Sequence, residues 1–436
     1  MTTTIINKNK KPNVPNSTDK GNAIRNLPNL RFPEFMEEWE EHELSEYLDF
    51  KNGLNPKPNQ FGKGIKFISV MDILNNAVIT YDCIRASVSV SEEDMSAFSV
   101  QKGDILFQRS SETLEDVGRA NVYVDDIPAV FGGFVIRGKQ KTNYNPLFFK
   151  YLLSSPLARK RIIRMGAGAQ HFNIGQEGLS KVKLPFACID EQNKIAKILY
   201  LLDKRISLQN KIIEDLKKLK SAIIEKVFCS PNKKNPMCRI EGFEQALSTY
   251  KMSDFSSRIA TKNKDSKCSL VLTIAAQYGL VNQESFFNKS VASENLTGYY
   301  LLHKGEFAYN RSYSAGYDWG AVKRLDNYDE GVLSTLYICF KINETIVDSD
   351  YLTYYFESTK WHRGLSDIAG EGARNHGLLN VSITDYFNTK HRFPVIEEQK
   401  AIAKMLNTIT EKERKATLLG ECYQKQKQYL LRQMFI

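Results

Sequence analysis

The chain contains two long stretches in which apolar residues recur at spacings of three and four. The first stretch, Asp190 to Phe228, contains no glycine and no proline. This spacing is typical of a helix that packs along another helix. It predicts a helix roughly 58 Å long, at a rise of about 1.5 Å per residue. The pattern is broken once, at Gln209, and its apolar positions are Ile195, Leu199, Leu202, Ile206, Ile213, Leu216, Leu219, Ile223 and Val227.

The second stretch, Glu397 to Phe435, keeps the same pattern with interruptions at Glu413 and Gly420. Because a glycine inside a helix costs about 1 kcal/mol relative to alanine, we expect this helix to depend more on its partner. Both stretches begin with two acidic residues, which the positive end of the helix dipole favours. The apolar positions here are Ile402, Leu406, Ile409, Leu419, Tyr423, Leu430 and Met434.

These helical stretches are part of a larger internal repeat. The first copy contains LPFACIDEQNKIAKIL (184–199), and the second contains the similar FPVIEEQKAIAKML (393–406). From Glu191 and Glu398 onwards, equivalent residues are 207 positions apart. Upstream, VQKGDILFQRS (100–110) returns as LHKGEFAYNRS (302–312), and GAGAQH (166–171) as GEGARN (370–375). Nearly everything after residue 30 is therefore two copies of one unit, and a doubled unit suggests a doubled target.

Each copy starts with a globular part that mixes strand and helix patterns. Runs of β-branched and aromatic residues predict strands at 66–70, 104–107, 129–136 and 333–340. Asn145 followed by Pro146 predicts a helix start, and its counterpart begins near Asp350. We therefore predict an α+β fold with two tandem-duplicated domains. The second long helix can pair with the first only by running back, so we predict antiparallel helices and a pseudo-twofold relation.

The predicted organisation follows the chain in order. Residues 1–29 are rich in Asn, Lys, Thr and Pro and have no apolar run, so we expect a disordered tail and not a signal peptide. The remaining segments are a domain at 30–187, a helix at 188–228, a linker at 229–238, a second domain at 239–394 and a helix at 395–436.

Composition narrows the class of protein. At 436 residues with 42% hydrophobic residues, the chain is long enough for two ordinary cores. The net charge of +10 and the pI near 9.0 suit a polyanionic partner, although a merely basic soluble protein is an alternative. No apolar run is long enough for a membrane span. Seven cysteines without a CxxC pair argue against disulfide frameworks and zinc ribbons, and we expect a cytoplasmic protein.

A search for catalytic motifs finds none with the required residues. Asn145-Pro146-Leu147-Phe148 is similar to the Asn-Pro-Pro-Phe loop of amino-methyltransferases, but Leu147 replaces the second proline and no glycine-rich cofactor loop precedes it. The segment 133–139 has the spacing of a phosphate-binding loop, yet Gln140 stands where serine or threonine is needed. The histidines lack metal-ligand spacing. The pattern indicates a binding protein and not an enzyme.

Matched polar loops are the candidate binding residues. One loop follows a strand in each copy, and the other is punctuated by glycines. Their side chains are of the types that contact base edges and phosphates, and glycines let a backbone approach a duplex. Turn closure and capping of carbonyls by arginine are the alternative explanation. The predicted DNA-binding residues are Arg109, Ser110, Ser111, Gln170, His171, Asn310, Arg311, Ser312, Tyr313, Arg374, Asn375 and His376.

The order of these features resembles the specificity subunit of bacterial type I restriction-modification systems. Each copy has a Glu-Gln step followed by an isoleucine and a long helix. The copies also share Lys102-Gly103-Asp104 with Lys304-Gly305-Glu306, Gly-x-Gly-Ala turns, and a segment that begins Leu30-Arg31-Phe32-Pro33 in the first copy. The resemblance covers about 93% of the chain. The second copy departs from it at Glu413 and Gly420, and it lacks the proline.

The resemblance implies a non-catalytic protein with two target recognition domains. Each domain would read one half of a bipartite, asymmetric DNA site, and the helices would set the spacing and dock two methyltransferase subunits. S-adenosylmethionine would be bound by those subunits, which methylate a flipped adenine. ATP and Mg would be bound by the partner subunits and not by this chain. These partners include restriction subunits that cut phage DNA. The predicted partner-binding residues are Glu191, Gln192, Glu398 and Gln399.

Two other classes of protein remain open from the residues alone. A solitary methyltransferase or nuclease would need cofactor and catalytic loops of its own. A coiled-coil adaptor that binds only protein would have no affinity for duplex DNA at any salt concentration, whereas a DNA reader loses affinity steeply as salt rises.

Overall fold

The computed structural model describes residues 26–289, 295–312, 316–368, 379 and 381–436. The chain forms two compact units. The first unit contains the chain up to Ser207 together with Cys422–Ile436, and the second unit is Leu208–Glu421. Each unit thus contains one globular part and a segment of both long helices. The predicted division placed each long helix in a segment of its own, whereas the compact units divide both helices.

The first unit mixes short helices with short strands. Its helices are α1 (Leu44–Tyr47), α2 (Val70–Asn75), α3 (Glu92–Phe98), α4 (Pro146–Ser154), α5 (Pro156–Ile163), α6 (Gln176–Ser180) and the start of α7 (Ile189–Val227). Its strands are β1 (Glu40–Glu43), β2 (Leu48–Asn52), β3 (Phe61–Ile68), β4 (Ser87–Val88), β5 (Ser99–Val100), β6 (Ile105–Gln108), β7 (Ser110–Ser111), β8 (Ala120–Val122), β9 (Ala129–Phe131), β10 (Val135–Gln140), β11 (Phe172–Asn173) and β12 (Lys183–Phe186). Short 3₁₀ turns lie at Pro58–Gln60 and Leu114–Asp116.

An antiparallel sheet with the strand order β2-β10-β6-β8 forms the centre of the first unit. In its register Ile136 lies opposite Phe107, and Gly138 lies opposite Phe50. A second sheet has the order β4-β3-β9-β5, with β3 and β9 parallel. The strand β1 pairs with β12, which leads directly into α7.

The second unit repeats this plan. Its helices are α8 (Met252–Phe255), α9 (Gln283–Phe287), α10 (Ser349–Tyr355), α11 (His362–Ser366), α12 (Ile383–Asn388) and most of α13 (Ile396–Gln433). Its strands are β13 (Ser248–Lys251), β14 (Ser256–Arg258), β15 (Leu272–Ala275), β16 (Gly279–Asn282), β17 (Tyr300–His303), β18 (Phe307–Asn310), β19 (Ala321–Arg324), β20 (Glu330–Leu333), β21 (Ile338–Ile342) and β22 (Lys390–Phe393). A 3₁₀ turn lies at Lys264–Ser266.

The strand order of the second unit confirms the duplication. Its central antiparallel sheet runs β14-β21-β18-β19, which is the order of β2-β10-β6-β8 with each strand replaced by its repeat. The strand β13 pairs with β22 ahead of α13, as β1 pairs with β12 ahead of α7. The predicted α+β class with tandem domains is therefore confirmed.

The two long helices are antiparallel within each unit. In the first unit Asp203 pairs with Lys427, and two residues later Arg205 lies over the ring of Tyr423. In the second unit the Gln209 amide donates to the Ala416 carbonyl at 2.9 Å, and Lys220 pairs with the earlier residue Glu413. Later positions in α7 thus meet earlier positions in α13, as predicted from connectivity.

The interruptions of the apolar pattern meet one another. Gln209 is buried opposite Gly420, where an added Cβ would lie 3.5 Å from its side chain. Glu413 forms its ion pair with Lys220, and the side chains of Glu413 and Lys220 are only 16% and 21% exposed. The predictions of Leu219 and Leu419 as apolar contact positions are wrong, because these side chains are 50% and 42% exposed. Polar residues in one helix are matched by gaps or opposite charges in the other.

Each core includes turns from both long helices. In the first unit Ile195 and Leu199 of α7 lie in one apolar cluster with Leu430 and Leu431 of α13 and with Met434 and Phe435, which follow it. In the second unit Ile224 and Val227 of α7 pack with Ile402, Ala403 and Leu406 of α13. The helices are therefore part of the globular cores and not appendages to them.

Four boundaries differ from the predictions. The segments 129–136 and 333–340 were each predicted as one strand, but a turn divides β9 from β10 and β20 from β21. The helix that begins at Pro146 ends at Ser154 because Ser155 caps a new helix. The predicted tail lies outside the described residues up to residue 25. At residues 26–29, however, Pro28 is buried and the Asn26 carbonyl accepts from Trp39, so these residues are ordered.

Candidate nucleic-acid interface

A glycine turn starts the strand that carries each candidate loop. Gly103 and Gly305 have φ values of +95° and +87°, a conformation that residues with a side chain rarely adopt. The acid that follows each glycine closes the turn. Asp104 accepts from the amide of Gln101 at 2.9 Å, and Glu306 accepts from the amide of His303 at 2.7 Å. The Lys-Gly-acid motif therefore fixes the start of β6 and β18, whose ends carry the predicted site residues.

The two polar loops predicted in the first unit lie side by side. Ser110 and Ser111 form β7, which pairs with Phe172 and Asn173 in β11. The segment between Ala167 and Asn173 is a hairpin closed by reciprocal main-chain hydrogen bonds of 2.9 Å. Gly168 has a φ of +139°, and a Cβ there would lie 2.0 Å from the His171 carbonyl. Gln170 and His171 lie at the exposed end of this hairpin.

The second unit preserves the described part of this arrangement. The Leu379 amide donates to the Arg311 carbonyl at 3.0 Å, as the Ile174 amide donates to the Arg109 carbonyl at 2.9 Å. Ser312 is half-buried, and its amide donates to the Asn310 side chain. The predicted residues Tyr313, Arg374, Asn375 and His376 lie outside the described residues.

The two predicted arginines hold main-chain carbonyls. Arg109 is half-buried, and its Nη1 donates to the Gly133 carbonyl at 3.2 Å. Arg311 donates from Nε and Nη2 to the Leu336 carbonyl at 3.3 and 3.2 Å, and from Nη1 to the Val381 carbonyl at 3.1 Å. These contacts favour the capping explanation. The arginines, like Ser110, whose hydroxyl donates to Asn173, position the loops from within.

Sequence reasoning missed an apolar residue at each turn next to these arginines. Phe134, between β9 and β10, is 69% exposed, and Leu336, between β20 and β21, is 57% exposed. The strand registers place them at equivalent positions, since each lies two residues before the one opposite Phe107 or Tyr309, which is Ile136 or Ile338. Gly132-Gly133 inside an apolar run was the sequence signal for this turn.

The helix before the glycine hairpin supplies two further basic residues. Lys160 and Arg164 are both exposed near the end of α5. They are four residues apart and therefore lie on one helix face. Of their basic neighbours, Arg159 donates to the Glu115 and Val117 carbonyls, and Arg161 pairs with Glu41. The basic run from 159 to 164 was the signal that sequence reasoning did not use.

The Glu-Gln steps are buried, which corrects their predicted role as partner contacts. Glu191 is 0% exposed and accepts from Arg31 at 2.7 and 2.8 Å and from Trp39 at 3.0 Å. Glu398, 1% exposed, holds Arg239 in the same way. Hydrogen bonding to Glu191 raises the pKa of Arg31. A partner cannot reach these carboxylates in the folded units.

The glutamine of each step joins its long helix to the globular part. Gln192 accepts from the amide of Asn145 at 2.9 Å and donates to the Ala187 carbonyl. Gln399 accepts from the amide of Asp348 at 2.9 Å. Asn145 and Asp348 are the N-caps of α4 and α10. The Asn-Pro-Leu-Phe segment is thus a helix cap, as predicted, and the capped helix is anchored to α7.

The described residues lack two kinds of feature. They contain no group of three or more His, Cys, Asp or Glu side chains placed to hold a metal ion. In the same part of the chain, no helix combines the length and apolar character needed to cross a membrane.

The first copy matches a known family. Residues 36–218 match the model of the "Type I restriction modification DNA specificity domain". The putative type I restriction enzyme MjaX specificity subunit of Methanocaldococcus jannaschii is 28% identical over 208 residues, which are 47% of this chain and 48% of the relative. The MjaVIII specificity subunit of the same organism is 24% identical over 227 residues, 50% of this chain and 52% of the relative. The chain spans about half the length of these relatives.

Solved structures show the same fold over nearly the whole chain. The S subunit of a type I restriction-modification system from M. genitalium has a TM-score of 0.57 at 15% identity, covering 94% of this chain and 99% of that one. A chain from a structure concerned with complex assembly and conformational transition of the type I system has a TM-score of 0.50 at 12% identity, covering 91% and 97%. The chain is therefore similar in sequence and in fold to type I specificity subunits, the family that its repeated motifs resemble.

Proposed function

We propose that this chain is the specificity subunit of a type I restriction-modification complex and that it reads a bipartite, asymmetric DNA site. The observation that carries the proposal is the repeated interface geometry. In both units a strand that starts at a glycine turn leads to an arginine, Arg109 or Arg311, whose main-chain carbonyl accepts from the amide of Ile174 or Leu379. The match of residues 36–218 to a DNA specificity domain supports DNA as the ligand of this interface.

The side chains at the two interfaces support an asymmetric site. The framework residues Arg109 and Arg311 are the same, whereas the exposed positions differ. Phe134 stands where the second unit has Leu336, and the basic pair Lys160 and Arg164 has no counterpart in α11, whose Arg363 pairs with Asp367. Because base edges are read by individual side chains, two frames with different exposed residues should read different half-sites.

Docking of methyltransferase subunits is assigned to the outer face of α7. Five of its apolar side chains remain 40–61% exposed, at spacings of three, four and seven residues. Such a stripe can pack against further helices. The buried step Glu191-Gln192 supports this docking indirectly, because it holds the start of α7 against the first globular part. The exposed residues are Ile198, Leu201, Leu208, Ile212 and Leu219.

The reaction chemistry is assigned to the partners. The methyltransferase subunits would bind S-adenosylmethionine and methylate a flipped adenine. Restriction subunits would use ATP and Mg to translocate and cut. This chain would act in the cytoplasm, where the DNA is. It would determine which DNA sequence the complex recognises.

Mapping methylated adenines in cells that express this chain with its methyltransferase subunits tests the proposal. We expect one bipartite, non-palindromic motif to be methylated, and we expect it to disappear when this chain is deleted. Purified chain should bind a duplex carrying that motif, with an affinity that falls as salt rises in proportion to the phosphates contacted. Duplex binding that is absent even at low salt would favour the coiled-coil adaptor. Methyl transfer by the purified chain alone would favour a solitary methyltransferase.

A further inference from the structure

Phe134 and Leu336 lie in exposed turns, and packing in a core does not explain why these two residues are apolar. A single exposed apolar side chain is common on protein surfaces and carries no meaning. Here the same register position is apolar and more than half exposed in both copies, although the residues differ. Both copies therefore expose an apolar side chain to solvent at the same position, which indicates a surface that contacts a partner.

Both turns are held rigidly. In the first unit the Arg109 amide donates to the Phe134 carbonyl at 2.9 Å, and its guanidinium donates to Gly133. On the other side the Leu54 amide donates to Phe131 at 3.0 Å. A Cβ at Gly133 would lie 2.0 Å from the Asn55 side chain, so a larger residue there would displace the Asn55 amide.

The second unit holds its turn with the equivalent arginine. Two guanidinium nitrogens of Arg311 donate to the carbonyl of Leu336 itself. The Tyr337 amide donates to Ser334 at 3.2 Å and closes the turn. Each arginine is thus a positioning residue that fixes the apolar tip.

The neighbourhood of each tip shows what kind of partner fits it. The Phe134 turn is bonded to Arg109, and Arg109 is bonded through Ile174 to the end of the glycine hairpin. The same end of the unit therefore presents an aromatic ring together with Gln170 and His171. Apolar contacts to a thymine methyl or a base face, flanked by hydrogen-bonding side chains, are how proteins read base edges.

We infer that Phe134 in the first unit and Leu336 in the second are specificity-determining residues that make apolar contacts with the bases of the DNA half-sites, held in place by Arg109 and Arg311. This inference rests on the proposed function and adds to it the residues that touch the bases. Because an apolar contact displaces no counterions, it should contribute to affinity without contributing to the salt dependence of binding.

The test compares purified full-length variants on one probe, a duplex carrying the consensus that wild-type chain selects from a randomised duplex pool. Phe134→Ala should weaken binding by about 10- to 100-fold, the range for losing a buried aromatic contact, with an unchanged slope of log affinity against log salt. Leu336→Ala should weaken binding by about 10-fold. Lys160→Ala provides the contrast, because loss of a phosphate contact lowers that slope by about one.

Ile127→Ala is the matched control, since Ile127 is 51% exposed in the same unit but adjoins Asp125 and Asp126. It should bind like wild type, and thermal melting should show that all variants fold. Repeating the selection with Phe134→Ala should relax preference in one half-site only, and with Leu336→Ala in the other.

Wild-type binding with unchanged affinity in both tip variants would overturn the inference and leave the proposed function standing. Loss of affinity with a reduced salt slope would also overturn it, since the tips would then act through phosphates. Failure of wild-type chain to select any sequence would contradict the proposed function itself.

Discussion

At the scale of single residues, the ion pairs of Arg31 with Glu191 and of Arg239 with Glu398 explain why the same residues recur at both ends of each repeat. Residues about 160 positions apart in the chain form a bidentate contact around a buried carboxylate. A buried charge is tolerated only when it is paired. The sequence showed that Glu191 and Glu398 recur at equivalent positions. It did not show whether these carboxylates face a partner or the core.

Replacing Arg31 by methionine should destabilise the first unit by about 3–5 kcal/mol, because Glu191 would remain buried with only Trp39 to support its charge. The double variant Arg31→Met, Glu191→Gln should recover part of that loss, since glutamine leaves no charge unpaired. Urea denaturation measures both. Arg164→Met, at an exposed position, should change stability by less than about 0.5 kcal/mol. Equal losses in the single and double variants would show that the buried charge is not the cause.

His391 should make the second unit sensitive to acid. Burial lowers its pKa from 6.5 to about 3, and both ring nitrogens have partners, Tyr355 and Thr389. Between those pH values the unfolded chain binds a proton that the folded unit does not, so stability falls as pH falls. The loss from pH 7 to pH 5 should be about 2 kcal/mol from this group.

Denaturation at pH 7 and pH 5 checks the effect of His391. The variant His391→Leu copies the first unit, where Leu184 precedes α7 as His391 precedes α13, and it should lose this share of the pH dependence whatever its stability at pH 7. The control variant His303→Asn, at an exposed site, should keep the pH dependence of stability that His391 causes. An unchanged pH dependence in His391→Leu would assign the acid sensitivity to other groups.

At the scale of elements, Gly420 lies where the helices leave room for a methyl group. A Cβ there would have contacts of 3.5 Å with Gln209 and Ile213, which are ordinary van der Waals distances. Gly420→Ala should therefore stabilise the second unit by about 0.5–1 kcal/mol through helix propensity. Gly420→Leu should destabilise it by about 1–3 kcal/mol through overpacking.

Urea denaturation of both Gly420 variants gives the sign of each change. Ser221→Ala, at an exposed position of α7, is the control for propensity alone and should shift stability by only about a few tenths of a kcal/mol. A destabilised Gly420→Ala would show that the helices cannot accommodate the methyl group.

The elements also show how far sequence reasoning extends. The long helices and their antiparallel pairing followed from periodicity and connectivity, because these depend on many positions at once. The exposure of Leu219 and the turns at Gly133 and Leu336 did not follow. An ion pair between helices, such as that of Lys220 with Glu413, or a short break in an apolar run depends on tertiary contacts that periodicity does not contain.

At the scale of the whole molecule, two units with equivalent frames should be exchangeable separately. Replacing residues 40–186 by the same part of another such chain should change one half of the methylated motif and leave the other half intact. The donor must supply partners for Gln192 and Asp203, which hold Asn145 and Tyr151. Methylome mapping gives the readout, and exchange of residues 248–393 is the reciprocal control. A change in both halves would contradict independent reading.

The packing of Phe435 also dictates when the first unit can be completed during synthesis. Its ring lies 6.1 Å from that of Trp39 and 5.5 Å from that of Phe148, inside the core of the unit that is translated first. A ribosome that adds about 5–20 residues per second needs on the order of ten seconds or more to travel from Ser207 to Phe435. Until then the nascent first unit lacks the ring that covers Trp39 and Phe148, so the apolar surface of these two side chains stays open to water.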